Sequence, residues 1–127
     1  MAENLRLQCI TIDCVNPQAI AEFWAKALDW QITEADDEGV VIELLDGSPE
    51  QGRIPDILFY KNPDKKTVKN RLHFDLRPQD QAAEVARLES LGAKRIEIGQ
   101  ANEPEATWIV MADPEGNEFC VLRARTA

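Results

Sequence analysis

A chain of 127 residues is long enough for one domain with a real core, and 44% apolar against 29% charged residues is the balance of an ordinary folded protein in water. Its net charge of −9 repels phosphate backbones, which argues against a nucleic-acid partner. No apolar run approaches the roughly 20 residues of a membrane span, and the opening MAENLRLQ lacks the basic-then-apolar pattern of a secretory signal, so a cytoplasmic protein with no membrane partner is expected.

In chain order, LQCITIDC (7–14) alternates like a strand. NPQAIAEFWAKALDW follows, in which Asn16 can cap a helix and Pro17 suits its first turn. Ile20, Phe23, Trp24, Ala27 and Leu28 recur at helical spacing as one apolar stripe, which predicts a helix near 17–29. Three strand-like runs come next, WQITEA (30–35), VVIELL (40–45) and DILFY (56–60), separated by the turn-forming DDEG and DGSPEQGRIP. The basic run KNPDKKTVKNR (61–71) reads as a solvated connecting loop rather than an anion site.

The second half repeats the order. RLHFDL (71–76) reads as a strand, and 79–91 as a helix with Ala82, Val85, Ala86 and Leu88 inward and Gly92 as its C-cap. AKRIEI (93–98), TWIVMA (107–112) and EFCVLRA (118–124) supply three more strands. The layout is α+β: two tandem βαβββ modules, about 5–62 and 70–125, in one domain spanning 1–127, with mainly antiparallel sheets and a helix on one face of each. Aligning Leu28 with Leu91 sets Cys9 against His73 once one residue is dropped from the loop before the second helix.

Alternation also sorts the strand faces. Ile10 and Ile12 share one face, as do Leu72, Phe74 and Leu76, and these rows are expected beneath the helices. Phe119 and Val121 read as core in the same way. The opposite faces carry Cys9, Thr11 and Asp13 in one half, His73 and Asp75 in the other, and Glu118 with Cys120 in the last strand. In an open sheet these groups would be ordinary surface. The three cysteines, Cys9, Cys14 and Cys120, show no CxxC spacing. Their odd number in a reducing compartment argues against a disulfide framework, so small buried fillers are the default reading.

The stretches IDCVNPQAIAEFWAKALDW, NRLHFDL, VARLESLGA and WIVMADPEGNEFCVL together resemble the vicinal oxygen chelate superfamily, which includes glyoxalase I, extradiol dioxygenases and bleomycin-resistance proteins. They are most similar to its glyoxalase-like branch. The resemblance implies that each module curls its sheet into half a barrel and that the faces opposite the helices line a cleft. It also implies that the metal-dependent members' four ligand positions fall on Cys9, Leu58, His73 and Cys120, of which His73 alone matches. No resident metal is therefore expected, and zinc, nickel or manganese is the lesser alternative. Homodimers are common in the superfamily, so a homodimer is expected here.

The first functional reading is a small-molecule binder without metal. Leu58, Tyr60 and Cys120 would line its cleft, and Cys9, Asp13, Glu43, His73, Asp75 and Glu118 would border or anchor the ligand; acidic anchors would favour a cation. The alternative is a lyase or isomerase of the same superfamily, either metal-dependent or using His73 and Asp75 for proton transfer. A metalloenzyme like glyoxalase I is disfavoured by the missing carboxylates. No Gly-rich phosphate cradle and no GxSxG appears.

Overall fold

The computed structural model describes residues 5–96 and 107–124. The chain divides between Lys65 and Lys66 into two compact units, so the break falls inside the basic connector. In the first unit the order is β1 (Cys9–Cys14), α1 (Pro17–Leu28), β2 (Gln31–Ala35), β3 (Gly39–Glu43) and β4 (Asp56–Lys61). In the second it is β5 (Phe74–Leu76), α2 (Gln81–Leu91), β6 (Lys94–Arg95), β7 (Ile109–Ala112) and β8 (Glu118–Val121). This is the βαβββ arrangement expected for each half. The predicted extension of β6 to residues 97 and 98 lies outside the described residues.

Each unit builds one four-stranded sheet, ordered β1-β4-β3-β2 in the first and β5-β8-β7-β6 in the second. Two pairings in each are antiparallel, as expected from the short turns. The outermost pairing in each, β1 with β4 and β5 with β8, is parallel. A parallel pair needs a long crossover, and here the helix and two further strands supply it.

Local chemistry sets the helices. Asn16 Oδ1 accepts from Ala19 N–H at 3.2 Å, and Pro17 fills the first turn where its missing N–H costs nothing. α1 then buries Ile20, Ala21, Phe23, Trp24 and Ala25 over β2, β3 and β4, with Phe23 and Trp24 edge to face at 5.1 Å. Beneath it lie Val40, Ile42, Ile57 and Phe59, paired across β3 and β4. In the second unit Asp80 Oδ1 accepts from Ala83 N–H, and Gly92 closes α2 at φ 119°, a left-handed turn that glycine adopts without strain.

The structure corrects three expectations. α2 starts at Gln81 and turns Val85 and Leu88 inward, whereas Ala82 and Ala86 are exposed. Among the described residues the helix packs mainly on β6 and β8, so a narrow stripe is what this small sheet covers. Leu72 is 88% exposed. The strand begins at Phe74, because β5 is an edge whose one neighbour, β8, offers partners only for residues 74–76. The connector is not wholly solvated either: Lys66 is half-buried and ion-paired.

Candidate functional site

The second unit holds a cavity of about 240 Å³ on the sheet face away from Phe119 and Val121. Register explains its floor. Asp75 lies beside Cys120 in the β5–β8 pair, and Val110 lies on the other side of Cys120 in the β7–β8 pair. All three therefore project from one face. Trp108 and Leu122 continue that face, Glu118 and His73 border it, and Lys69 and Asn70 enter from the connector.

The DPEGN turn before β8 fixes the cavity's rim. Buried Asp113 accepts from the backbone N–H groups of Glu115 and Asn117, both at 2.9 Å, and Gly116 takes the positive φ of 88° that the turn requires. The turn presents Asn117 and Glu118 to the connector. Lys66 Nζ donates to Glu118 Oε1 at 2.9 Å, Asn70 N–H to Glu118 Oε2 at 3.1 Å, and Asn70 Nδ2 to Asn117 Oδ1 at 3.0 Å. Burial pulls the Glu118 carboxyl upward. The Lys66 ammonium and the Asn70 N–H outweigh it, so the net result lies below the ordinary carboxylate value.

At the cavity's polar edge His73 Nε2 stands 3.2 Å from Asp75 Oδ1. Donor atoms of His73, Asp75 and Cys120 lie within 4.8 Å of one another. Burial pushes the Cys120 thiol up, and the neighbouring Asp75 carboxylate pushes it further.

Of the residues that sequence reasoning selected, the structure brings His73, Asp75, Glu118 and Cys120 to this cavity. The other five belong to the first unit. Cys9 is paired in register with Asp56, and Asp13 with Tyr60, whose ring is 45% exposed. Leu58 sits half-buried beside Thr11, and Asn62 Nδ2 donates to Asp13 at 3.4 Å. Glu43 is raised from the ordinary carboxylate value by burial and by its acidic neighbour Asp56. Sequence reasoning missed Trp108, Val110 and Leu122, although the spacing of two between Trp108 and Val110, and between Cys120 and Leu122, was readable. It also missed Lys69 and Asn70, which arrive through a tie to Glu118 nearly fifty residues away.

A family model described as a glyoxalase-like domain matches residues 9–122, across both units. A search of curated proteins gives no significant match. Among solved structures, a glyoxalase/bleomycin resistance protein/dioxygenase family enzyme from Burkholderia phytofirmans PsJN is similar at 18% identity and a TM-score of 0.69, covering 95% of this chain and 100% of its own. The fosfomycin resistance protein FosX from Listeria monocytogenes, in a mutant form complexed with Mn(II) and 1S,2S-dihydroxypropylphosphonic acid, is similar at 10% identity and a TM-score of 0.68, covering 96% and 91%. A bleomycin resistance determinant encoded on transposon Tn5 aligns at 16% identity and a TM-score of 0.59, covering 96% and 100%. At these identities the likeness is one of fold. The family match over most of the sequence, joined to two βαβββ units of identical pairing, shows that the chain belongs to the glyoxalase-like domain family.

Proposed function

We propose that the protein binds a small organic molecule in the cavity of its second unit, without a resident metal ion. The observation that carries this reading is the cavity itself, where apolar Trp108, Val110 and Leu122 meet the polar pair His73–Asp75. Ligand sites combine a mostly apolar lining with a few orienting polar groups. At about 240 Å³ the cavity falls below the roughly 300–1,000 Å³ of drug-sized sites, which favours a ligand of about one ring. The drug-resistance names of two similar folds, one of them complexed with a small phosphonic acid, support the same reading.

The donor chemistry disfavours a metal. A hard ion such as Mn(II) prefers oxygen ligands, and Asp75 alone in the trio offers one. Imidazole and thiolate suit zinc, yet a thiol must lose its proton to ligate, and burial and Asp75 raise the Cys120 thiol above its ordinary value, which opposes that loss. A second reading, proton transfer by His73 and Asp75 in a lyase or isomerase reaction, is favoured by their 3.2 Å contact at the cavity edge.

Screening single-ring compounds by protein-observed NMR tests the binding reading. Hits are expected to shift Trp108 and Val110 and to lose that effect when Leu122→Trp fills the cavity. Hits that leave these resonances still would overturn it. Elemental analysis of protein purified without chelator is expected to find no stoichiometric zinc, nickel or manganese. A stoichiometric ion lost in His73→Ala would overturn the metal-free reading.

A further inference from the structure

We propose that the ligand of this cavity is a small organic anion, its charged end meeting Lys69 at the rim and its apolar body resting on Trp108, Val110 and Leu122. The inference rests on the cavity being the binding site proposed above. It reverses the sequence-based expectation of a cationic ligand, and the reason is a census of the charges in the wall.

Both acids of the wall already have partners. Glu118 accepts from Lys66 with one oxygen and from the Asn70 backbone with the other. Asp75 faces His73 at 3.2 Å, with the Cys120 thiol within 4.8 Å. Lys66 is satisfied by Glu118 and by the Val68 carbonyl at 2.6 Å. Lys69, in contrast, makes no ion pair among the described residues. In a chain with 23 acidic and 14 basic side chains, a lysine left without a carboxylate beside a cavity is the one cationic group there with charge to offer.

Two further observations place that charge usefully. Lys69 lines the cavity, and its field reaches the floor, where it lowers the Cys120 thiol against the opposing pull of burial and Asp75. Its neighbour Asn70 is tied at two points, backbone to Glu118 and side chain to Asn117, so the backbone that carries Lys69 is held before a ligand arrives. Preorganisation of this kind lowers the entropic cost of binding. A cationic ligand would meet Lys69 as a like charge and could reach Asp75 only in competition with His73. An anion meets no such conflict at the rim.

Three probes with one shared ring decide the matter: benzoate, benzyl alcohol and benzylammonium, each titrated into the intact protein and followed by the shifts of Trp108 and Val110. Benzoate is expected to bind about two- to fivefold more tightly than benzyl alcohol, the range of a solvent-facing ion pair, and benzylammonium most weakly. Added salt should narrow the gap. Lys69 is exposed, so Lys69→Met should leave the fold intact while removing benzoate's advantage, and Lys69→Glu should invert the order. Equal or tighter binding of the alcohol or the ammonium by the unaltered protein would overturn the proposal, as would a benzoate advantage that survives Lys69→Met. If none of the three shifts Trp108 or Val110, the cavity-binding reading itself fails and the ligand class falls with it.

Discussion

α1 removes six residues from solvent and α2 removes two, although the two helices differ by one residue in length. The strands follow suit. Those of the first unit run five or six residues, and those of the second two to four. The shortfall lies in the helix, since β7 and β8 still bury three residues each, and among the described residues the second unit adds polar ties across long sequence distances: Glu118 to the connector, Asn117 to Asn70, Gln81 to the Thr107 and Val121 carbonyls, and Arg77 to the Arg123 carbonyl. The two units share one topology and are stabilised in different ways. A sheet face held by directional ties can keep a concave, partly polar surface, whereas a face built for apolar packing opposes its helix and leaves the other side open. The cavity described above lies in the unit held by ties.

If that contrast is right, apolar truncation should hurt the first unit most. Trp24 is 1% exposed and packs edge to face on Phe23. Trp24→Ala should cost about 3–5 kcal/mol, the range for removing a large buried ring. Leu88, 2% exposed, lies in a helix that buries two residues where α1 buries six, and Leu88→Ala should cost about 2 kcal/mol, the low end for a buried leucine. Urea unfolding measures both. A larger loss at Leu88 would break the comparison.

Polar deletion should instead hurt the second unit. Glu118→Gln removes the charge that satisfies half-buried Lys66, at a cost of about 1–3 kcal/mol at neutral pH. The Glu118 carboxyl titrates below its ordinary value of 4.5 in the folded chain. Its stabilisation is therefore complete above the unfolded value and lost as pH falls through the folded one. The deficit of Glu118→Gln relative to the unaltered protein should accordingly vanish on acidification. A deficit that stays constant across that window would mean that the carboxylate's charge is irrelevant to the tie.

The same contrast explains what could be read in advance. α1 was legible to within a residue because an Asn cap, a Pro at the first turn and a helical apolar stripe all agree. For α2 the C-cap Gly92 agreed but the start and the stripe did not, since alanine is apolar enough to fit a pattern and too small to require burial. Leu72 fitted a strand pattern that the edge position of β5 left without a partner. Strand parity placed His73, Asp75, Glu118 and Cys120 on one face. Parity says nothing of a loop that arrives from elsewhere, so Lys66, Lys69 and Asn70 could not be read: an ion pair between residues 66 and 118 leaves no periodicity in either segment.

The cysteines sharpen the comparison at lower cost to the fold. Cys9 is exposed on the first unit's sheet, whereas Cys120 is buried in the second and its thiol is raised by burial and by Asp75. Thiolate is the reactive form, so iodoacetamide should modify Cys9 at least about tenfold faster than Cys120 in the native protein. Asp75→Asn removes one of the two causes and should shift the Cys120 rate profile to lower pH. Peptide mapping across a pH series reads both rates. An unchanged Cys120 profile in the variant would show that burial alone governs the thiol.

The smallest effect belongs to Glu43, at the end of β3 in the first unit. It meets an acid where Glu118 meets a lysine: burial raises its carboxyl above the ordinary 4.5, and Asp56, opposite it on β4, raises it further. The sign is therefore reversed. A carboxyl that holds its proton more tightly folded than unfolded takes up protons on folding within that window, so stability falls as pH rises through it and the cost persists at neutral pH. Glu43→Gln keeps the shape and removes the like-charge repulsion. Because the group is only half-buried, solvent screening limits the gain to within about 0.5 kcal/mol. The expected result is a small stabilisation at neutral pH that disappears in acid, where Glu118→Gln shows a loss that disappears in the same direction. Stability curves of the two variants against pH should thus approach the unaltered protein from opposite sides. If both variants lie on the same side at neutral pH, the two carboxylates do not differ in the way their neighbours imply.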